Sequence, residues 1–284
     1  MSPLINTFEA ESCPQLWLAA AEFLMKQPAQ SASSVVLAAR TPAVMSEAAF
    51  AIHHCVDDFL RSHGRLAVPT VAASIFPANF YMHGGAAGVY EDYLKLPFPS
   101  RWGFYALRML RKTVVSGGRN SIREINPLRI LVTKIKGQLA TRAMRAAYEM
   151  NMLEDDDLLE LPIHDAGSDS RRTRGQPCLS HLSFKLLPNE HQVTLTVLYR
   201  RHYYVEKALG NLIGLAQLLS FVATETGLNV GPLICHSTLA NLDRGSWGLH
   251  GVEELLQQCR DGVAKLQVGG GAGQAGARVQ RRQR

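Results

Sequence analysis

Between Lys207 and Thr226 the chain is apolar around most of a helical circumference and stops at Gly227. A helix without a polar face has no side to turn towards water, so other elements must surround it. Candidates flank it on both sides. Leu179 to Leu187 and Val193 to Arg201 alternate with period two and are separated by Pro188-Asn189, which predicts a hairpin. Val230 to Ala240 reads as a further strand. Val252 to Leu266 reads as an amphipathic helix with Val252, Leu255, Leu256, Cys259, Val263 and Leu266 inward. Strands and helices mix without regular βαβ alternation or an internal repeat, which predicts an α+β domain, a mixed sheet packed with helices.

The N-terminal half supplies further helices. Pro14 to Lys26 carries Leu16, Trp17, Ala20, Phe23 and Leu24 at helical spacing, with Pro28 as its stop. Ser46 to Ser62 repeats the pattern and ends at Gly64. Leu66 to Phe76 is β-branched enough for a strand, with Pro69 placing it near an edge or bulge. Pro77 to Ser100, dense in Gly, Pro, Tyr and Phe, reads as an ordered loop over a site. Trp102 to Lys112 reads as a helix, and Asn126-Pro127 as the cap and first turn of another that runs to Gly137. Ala140 to Met150 fits either regular structure.

The 284 residues, 46% hydrophobic, suffice for one large core. One domain is expected over residues 1–267. No apolar run approaches the roughly 20 residues needed to cross a bilayer, and the start lacks the basic stretch followed by an apolar one that a secretory signal requires, so a soluble cytoplasmic protein is expected. Five scattered cysteines lack both zinc-site spacing and disulfide density, and read as free thiols. The net charge of +6 owes much to Arg278, Arg281, Arg282 and Arg284. They lie in a Gly- and Arg-rich tail, 268–284, too poor in large apolar side chains to order itself. A pI raised by a tail says little about a folded nucleic-acid surface.

Chemistry concentrates in the C-terminal half. Pro177-Cys178 is followed by Phe184, then Leu198-Tyr199-Arg200-Arg201, then Gly210-Asn211 at the head of the apolar helix, then Gly227-Leu228-Asn229-Val230-Gly231. This ordered set, over about a third of the chain, resembles the thymidylate synthase and pyrimidine nucleotide hydroxymethylase family. Arg101-Trp102-Gly103-Phe104-Tyr105 through Arg108 matches more loosely.

The resemblance implies a thymidylate-synthase-like fold and a homodimer acting at C5 of a pyrimidine nucleotide, with 5,10-methylenetetrahydrofolate as one-carbon donor. Cys178 would add to C6, since C5 is a poor nucleophile until a thiolate does so. Arg201 would hold the phosphate and favour the thiolate. Asn211 would read the base edge, its amide offering donor and acceptor together. His202, at the position of a family serine, would also touch phosphate. Arg171 and Arg172, or Arg142 and Arg145, would reach across the dimer to the partner's phosphate.

Four departures qualify this. Tyr204 replaces an aspartate that helps bind pyrimidine and folate, and the loop from there to Asn211 is one residue shorter. Asn241 and Asp243 stand where a His-x-Tyr pair holds the ribose. The tail replaces the short apolar end that closes over folate. Two function classes therefore stay open: a C5 methyl- or hydroxymethyltransferase, and a catalytically inactive relative that binds a nucleotide or a partner, with nucleic acid reached only through the Arg tail. Bland roles stand beside these: a structural thiol for Cys178, a helix cap for Asn211, a solvated pair for Arg200 and Arg201. His236 next to Cys235, and His53-His54, lack the spacing of ligand pairs.

Overall fold

A computed structural model describes residues 4–97, 104–116, 121–141, 144, 148–152 and 177–272. In chain order the main elements are β1 (Asn6–Ala10), α1 (Cys13–Met25), β2 (Ser31–Ala39), α2 (Glu47–Ser62), α3 (Val68–Ile75), α4 (Ala78–Ala87) and α5 (Tyr105–Leu110). Then follow β3 (Lys112–Ser116), β4 (Ser121–Ile125), α6 (Pro127–Leu139), β5 (Tyr148–Asn151), β6 (Leu179–Leu187) and β7 (Gln192–Tyr199). The chain continues through β8 (His202–Tyr203), α7 (Leu209–Thr226), β9 (Asn229–Asn241) and α8 (Gly248–Ala272).

Among the described residues, seven strands form one mixed sheet in the order β1-β2-β9-β7-β6-β5, with β8 beside β9. The β6–β7 pair is antiparallel, as the period-two alternation predicts, while β7 runs parallel to β9. One face of this sheet buries Val35, Leu37, Leu182, Phe184, Leu195, Val197, Tyr199, Leu233 and Cys235. Against it lies α7, whose apolar circumference is taken up by the core. Leu212, Leu215, Leu218, Leu219, Phe221 and Val222 are all buried. Contrary to the expectation that no apolar run approaches spanning length, the segment Tyr204–Thr226 is long and apolar enough to cross a membrane, though most of its apolar window is buried inside the fold. The chain is therefore an α+β fold, a mixed sheet packed with helices around one long buried helix.

Local chemistry explains the ends of α7. Gly227 closes it in the left-handed conformation, φ 72°, its N–H reaching the Ala223 and Thr224 carbonyls. Gly210 and Gly214, one turn apart, admit α3. A Cβ on Gly214 would stand 2.5 Å from the Ala72 carbonyl oxygen, and one on Gly210 2.6 Å from the Val71 Cβ.

Several expectations are corrected. Leu66 to Phe76 is not a strand but mostly the helix α3. Its first turn takes Pro69, which needs no N–H there, and the Asp57 carboxylate accepts the Val68 N–H at 2.7 Å. Pro77 to Ser100 is not a loop over its described part, since α4 and the short helical turns Gly88–Asp92 and Tyr93–Lys95 occupy it. The glycines permit this: Gly85 takes φ 56°, and a Cβ on Gly88 would meet the Phe80 carbonyl at 2.2 Å. The helix expected over Trp102 to Lys112 is the shorter α5, and Lys112 already opens β3. Leu266, read as inward on α8, is 37% exposed. That helix continues to Ala272, into the segment read as a disordered tail, and residues 273–284 lie outside the described part.

Candidate functional site

Strand pairing gathers the motif residues at one end of the sheet. Leu179 pairs with Tyr199, Tyr199 with Ser237, His202 with Ala240 and Tyr203 with Asn241. The start of β6, the end of β7, β8 and the far end of β9 are thereby neighbours, and Asn211 stands in the first turn of α7 beside them.

Cys178 precedes β6 and is half-buried. Its backbone N–H donates to the Tyr105 hydroxyl at 3.2 Å, and the Leu179 N–H donates to the same oxygen at 3.4 Å. From the other side Arg200 holds this turn. Its N–H donates to the Cys178 carbonyl at 2.9 Å and its Nε to the Pro177 carbonyl at 3.1 Å. The sequence singles out Arg201, yet Arg200 weighs more on the sulfur. Burial pushes the Cys178 thiol above its ordinary range, and the Arg200 and then the Arg201 guanidinium draw it back without cancelling that push.

Arg201 lies over the Tyr203 ring at 4.8 Å and donates from Nε to the Asn241 side-chain oxygen at 3.0 Å. Its guanidinium is thus steered by Asn241, one of the two residues that the resemblance sets against the family's ribose-holding pair. The other, Asp243, is structural. Its carboxylate accepts the Val205 and Glu206 N–H groups at 2.8 and 3.0 Å, capping the π-turn Tyr204–Ala208 that leads into α7. Burial raises its pKa, opposed by those donors.

His202 is 1% exposed, so it offers no ring surface to a phosphate here. Its Nδ1 lies 3.0 Å from the Ser237 Oγ and its Nε2 3.1 Å from the Asn211 Nδ2. The ring stacks on Tyr199 with centroids 4.0 Å apart and meets Tyr204 edge-on at 5.4 Å. Burial depresses its pKa to about 3, leaving it neutral near pH 7. Tyr204 is 0% exposed; its carbonyl accepts the Trp17 indole N–H at 2.6 Å, and its ring belongs to the core.

The structure thus brings Cys178, Arg200, Arg201, His202 and Asn211 to one sheet end. Arg142, Arg145, Arg171 and Arg172 lie outside the described residues. Tyr105 and Ser237 are the positions sequence reasoning did not assign. Tyr105 belongs to the looser motif, and Ser237 is a polar residue at an inward place of β9, a signal visible only once the face is known.

Nothing described here fits a folate directly. Tyr204, which the resemblance sets against an aspartate that helps bind pyrimidine and folate, is sealed in the core. Among the described residues no group of three or more His, Cys, Asp or Glu side chains is placed to hold a metal ion. Two surface cavities lie elsewhere: one of about 640 Å³ bordered by Arg123, Asn126 and Arg129, another of about 420 Å³ by Phe80, His83 and Asp92. No model of a known protein family matches the chain, and no curated protein matches its sequence.

Proposed function

We propose that this chain is a thymidylate-synthase-type transferase that forms a covalent bond between Cys178 and C6 of a pyrimidine nucleotide and transfers a methyl or hydroxymethyl group to C5. The observation that carries the reading is the convergence of a half-buried thiol, two arginines and an amide on one sheet end. A thiolate adding to C6 forms the S–C6 bond and pushes the C5=C6 electron pair towards C5 and O4, making C5 nucleophilic. After transfer, loss of the C5 proton and elimination of the sulfur restore the C5=C6 double bond and free the thiolate; a methyl product would also need a hydride, which the reduced folate donor would supply. Arg200 fixes the Cys178 backbone, Arg201 takes the phosphate and Asn211 reads the base.

The one-carbon donor, methylenetetrahydrofolate, comes from the resemblance alone. So does the homodimer with shared arginines. The sheet face opposite α7 is compatible with a second copy: Val36, Leu198, Ile234 and His236 lie side by side there and are partly exposed.

A second reading, a nucleotide- or partner-binding relative without catalysis, is favoured by one observation. The Cys178 thiol stays protonated near pH 7 despite its two arginines, because burial outweighs them. The test separates the two. Incubation with 5-fluoro-dUMP and methylenetetrahydrofolate is expected to give a covalent adduct seen by intact mass, absent from Cys178→Ser. Failure with every fluorinated uracil or cytosine nucleotide, while a nucleotide still binds, favours the second reading and removes the first.

A further inference from the structure

The last helix, α8, packs antiparallel on α2. Near its head Trp247 meets Phe59 and His63 edge-on, with ring centroids 5.4 and 5.5 Å apart, and further along Gly262 faces the earlier residue Ala51. A Cβ built on Gly262 would stand 3.6 Å from the Ala51 Cβ and 4.0 Å from the Cys55 Sγ. Residues one helical turn apart share a face. One turn back along α8 from Gly262 and one turn on along α2 from Ala51, Cys259 therefore comes opposite Cys55. The two thiols share a hydrogen bond. Cβ positions 3.6 Å apart at this crossing match the spacing across a disulfide, about 3.8 Å, so the backbones already stand where such a bond needs them.

The two sulfurs differ in access. Cys259 is 0% exposed, whereas Cys55 is half-buried. Burial, and then the neighbouring Cys55, push the Cys259 thiol above its ordinary range, so Cys55 is the one to meet an oxidant first.

We propose that Cys55 and Cys259 are an oxidation site, at which hydrogen peroxide converts the two thiols into a disulfide that staples α8 to α2. The Cys55 sulfur attacks a peroxide oxygen, the O–O bond breaks, and Cys55 becomes a sulfenic acid as hydroxide leaves. The Cys259 sulfur then attacks the Cys55 sulfur, the S–S bond forms, the S–O bond breaks, and a second hydroxide leaves. The protons given up by the thiols turn both hydroxides into water. Each cysteine sulfur loses one electron and the peroxide takes up the two. The bond closes the chain from Cys55 to Cys259 into one long loop, which restricts the unfolded chain far more than the folded one. None of this depends on the chemistry proposed for Cys178, since neither α2 nor α8 carries a residue placed at that sheet end.

The full chain is exposed to hydrogen peroxide without denaturant, remaining thiols are then blocked in denaturant, and unreduced peptides are mapped by mass spectrometry. Oxidation of Met82, which is 70% exposed, reports that the dose sufficed. The expected product is a peptide pair joined through Cys55 and Cys259 of one chain, reversed by dithiothreitol, with a higher urea midpoint while the bond is present. In Cys259→Ser the reaction is expected to stop at a sulfenic acid on Cys55, trapped by dimedone. In Cys55→Ser, Cys259 is expected to stay a free thiol. If the buried Cys259→Ser fails to fold, the wild-type map and Cys55→Ser decide. Both thiols still free once Met82 is oxidised, Cys55 joined to any other cysteine, or a lower midpoint in the linked form would overturn the proposal.

Discussion

The Tyr105 hydroxyl accepts the backbone N–H of Cys178 at 3.2 Å, tying α5 to the turn that carries the proposed nucleophile. The same oxygen takes the Leu179 N–H, so two backbone donors at the head of β6 depend on one side chain. Removing that oxygen leaves part-buried donors without their acceptor. Tyr105→Phe is expected to lower stability by about 1–3 kcal/mol. Urea unfolding measures it, and an unchanged midpoint would show that the phenol does not hold the turn.

Cys178 should be a slow thiol near neutrality. Burial raises its pKa and the two guanidiniums lower it, so removing one must raise it further. Peptide-mapped alkylation of Cys178 by iodoacetamide against pH is expected to rise only above the range of an ordinary thiol, with the profile of Arg200→Ala displaced to still higher pH. Displacement to lower pH would contradict the assigned influence of Arg200.

His202 makes stability depend on pH. Its folded pKa, about 3, lies below its ordinary value of 6.5, so the unfolded chain binds this proton more readily. The contribution is present in full above about pH 6.5 and is lost as pH falls towards 3, at about 1.4 kcal/mol per pH unit for one proton. Asp57 and Glu149, both with lowered pKa values, weaken the fold in the same direction at lower pH. Between pH 6.5 and 5 the slope of unfolding free energy is expected to be shallower by about one proton in His202→Asn than in the wild type. Equal slopes would place a titrating histidine where the structure has a neutral one.

Glycine substitutions separate close packing from open space. Gly214→Ala drives a Cβ to 2.5 Å from the Ala72 carbonyl and is expected to lower stability by about 1–3 kcal/mol. Gly137→Ala, on α6, meets nothing within 4 Å and is expected to be neutral or to stabilise by up to about 1 kcal/mol. Urea midpoints check both, and a harmless Gly214→Ala would mean that α3 does not rest on α7.

Which parts of this were legible in the sequence follows from how local each signal is. The burial of α7 and the β6–β7 hairpin come from periodicity within one segment, and both appear in the structure. The strands β1 and β2 escaped notice. One is five residues long, and the other, Ser31–Ala39, is mostly Ser and Ala, so neither shows a strong apolar alternation before its partners are known. The strand expected over Leu66 to Phe76 failed because the decisive partner, Asp57, lies on another helix. At the site, the motif residues could be named one by one. Their mutual bonds, Arg200 to the Pro177-Cys178 turn and His202 between Ser237 and Asn211, join residues up to 35 positions apart and exist only once the sheet is assembled.

The most direct measurement is a crystal structure of the full chain with a pyrimidine nucleoside 5′-monophosphate. The Cys178 sulfur is expected within about 3.5 Å of C6, with the phosphate on Arg201 and the base edge on Asn211. A nucleotide bound away from Cys178, or a base whose edge turns from Asn211, would contradict that expectation.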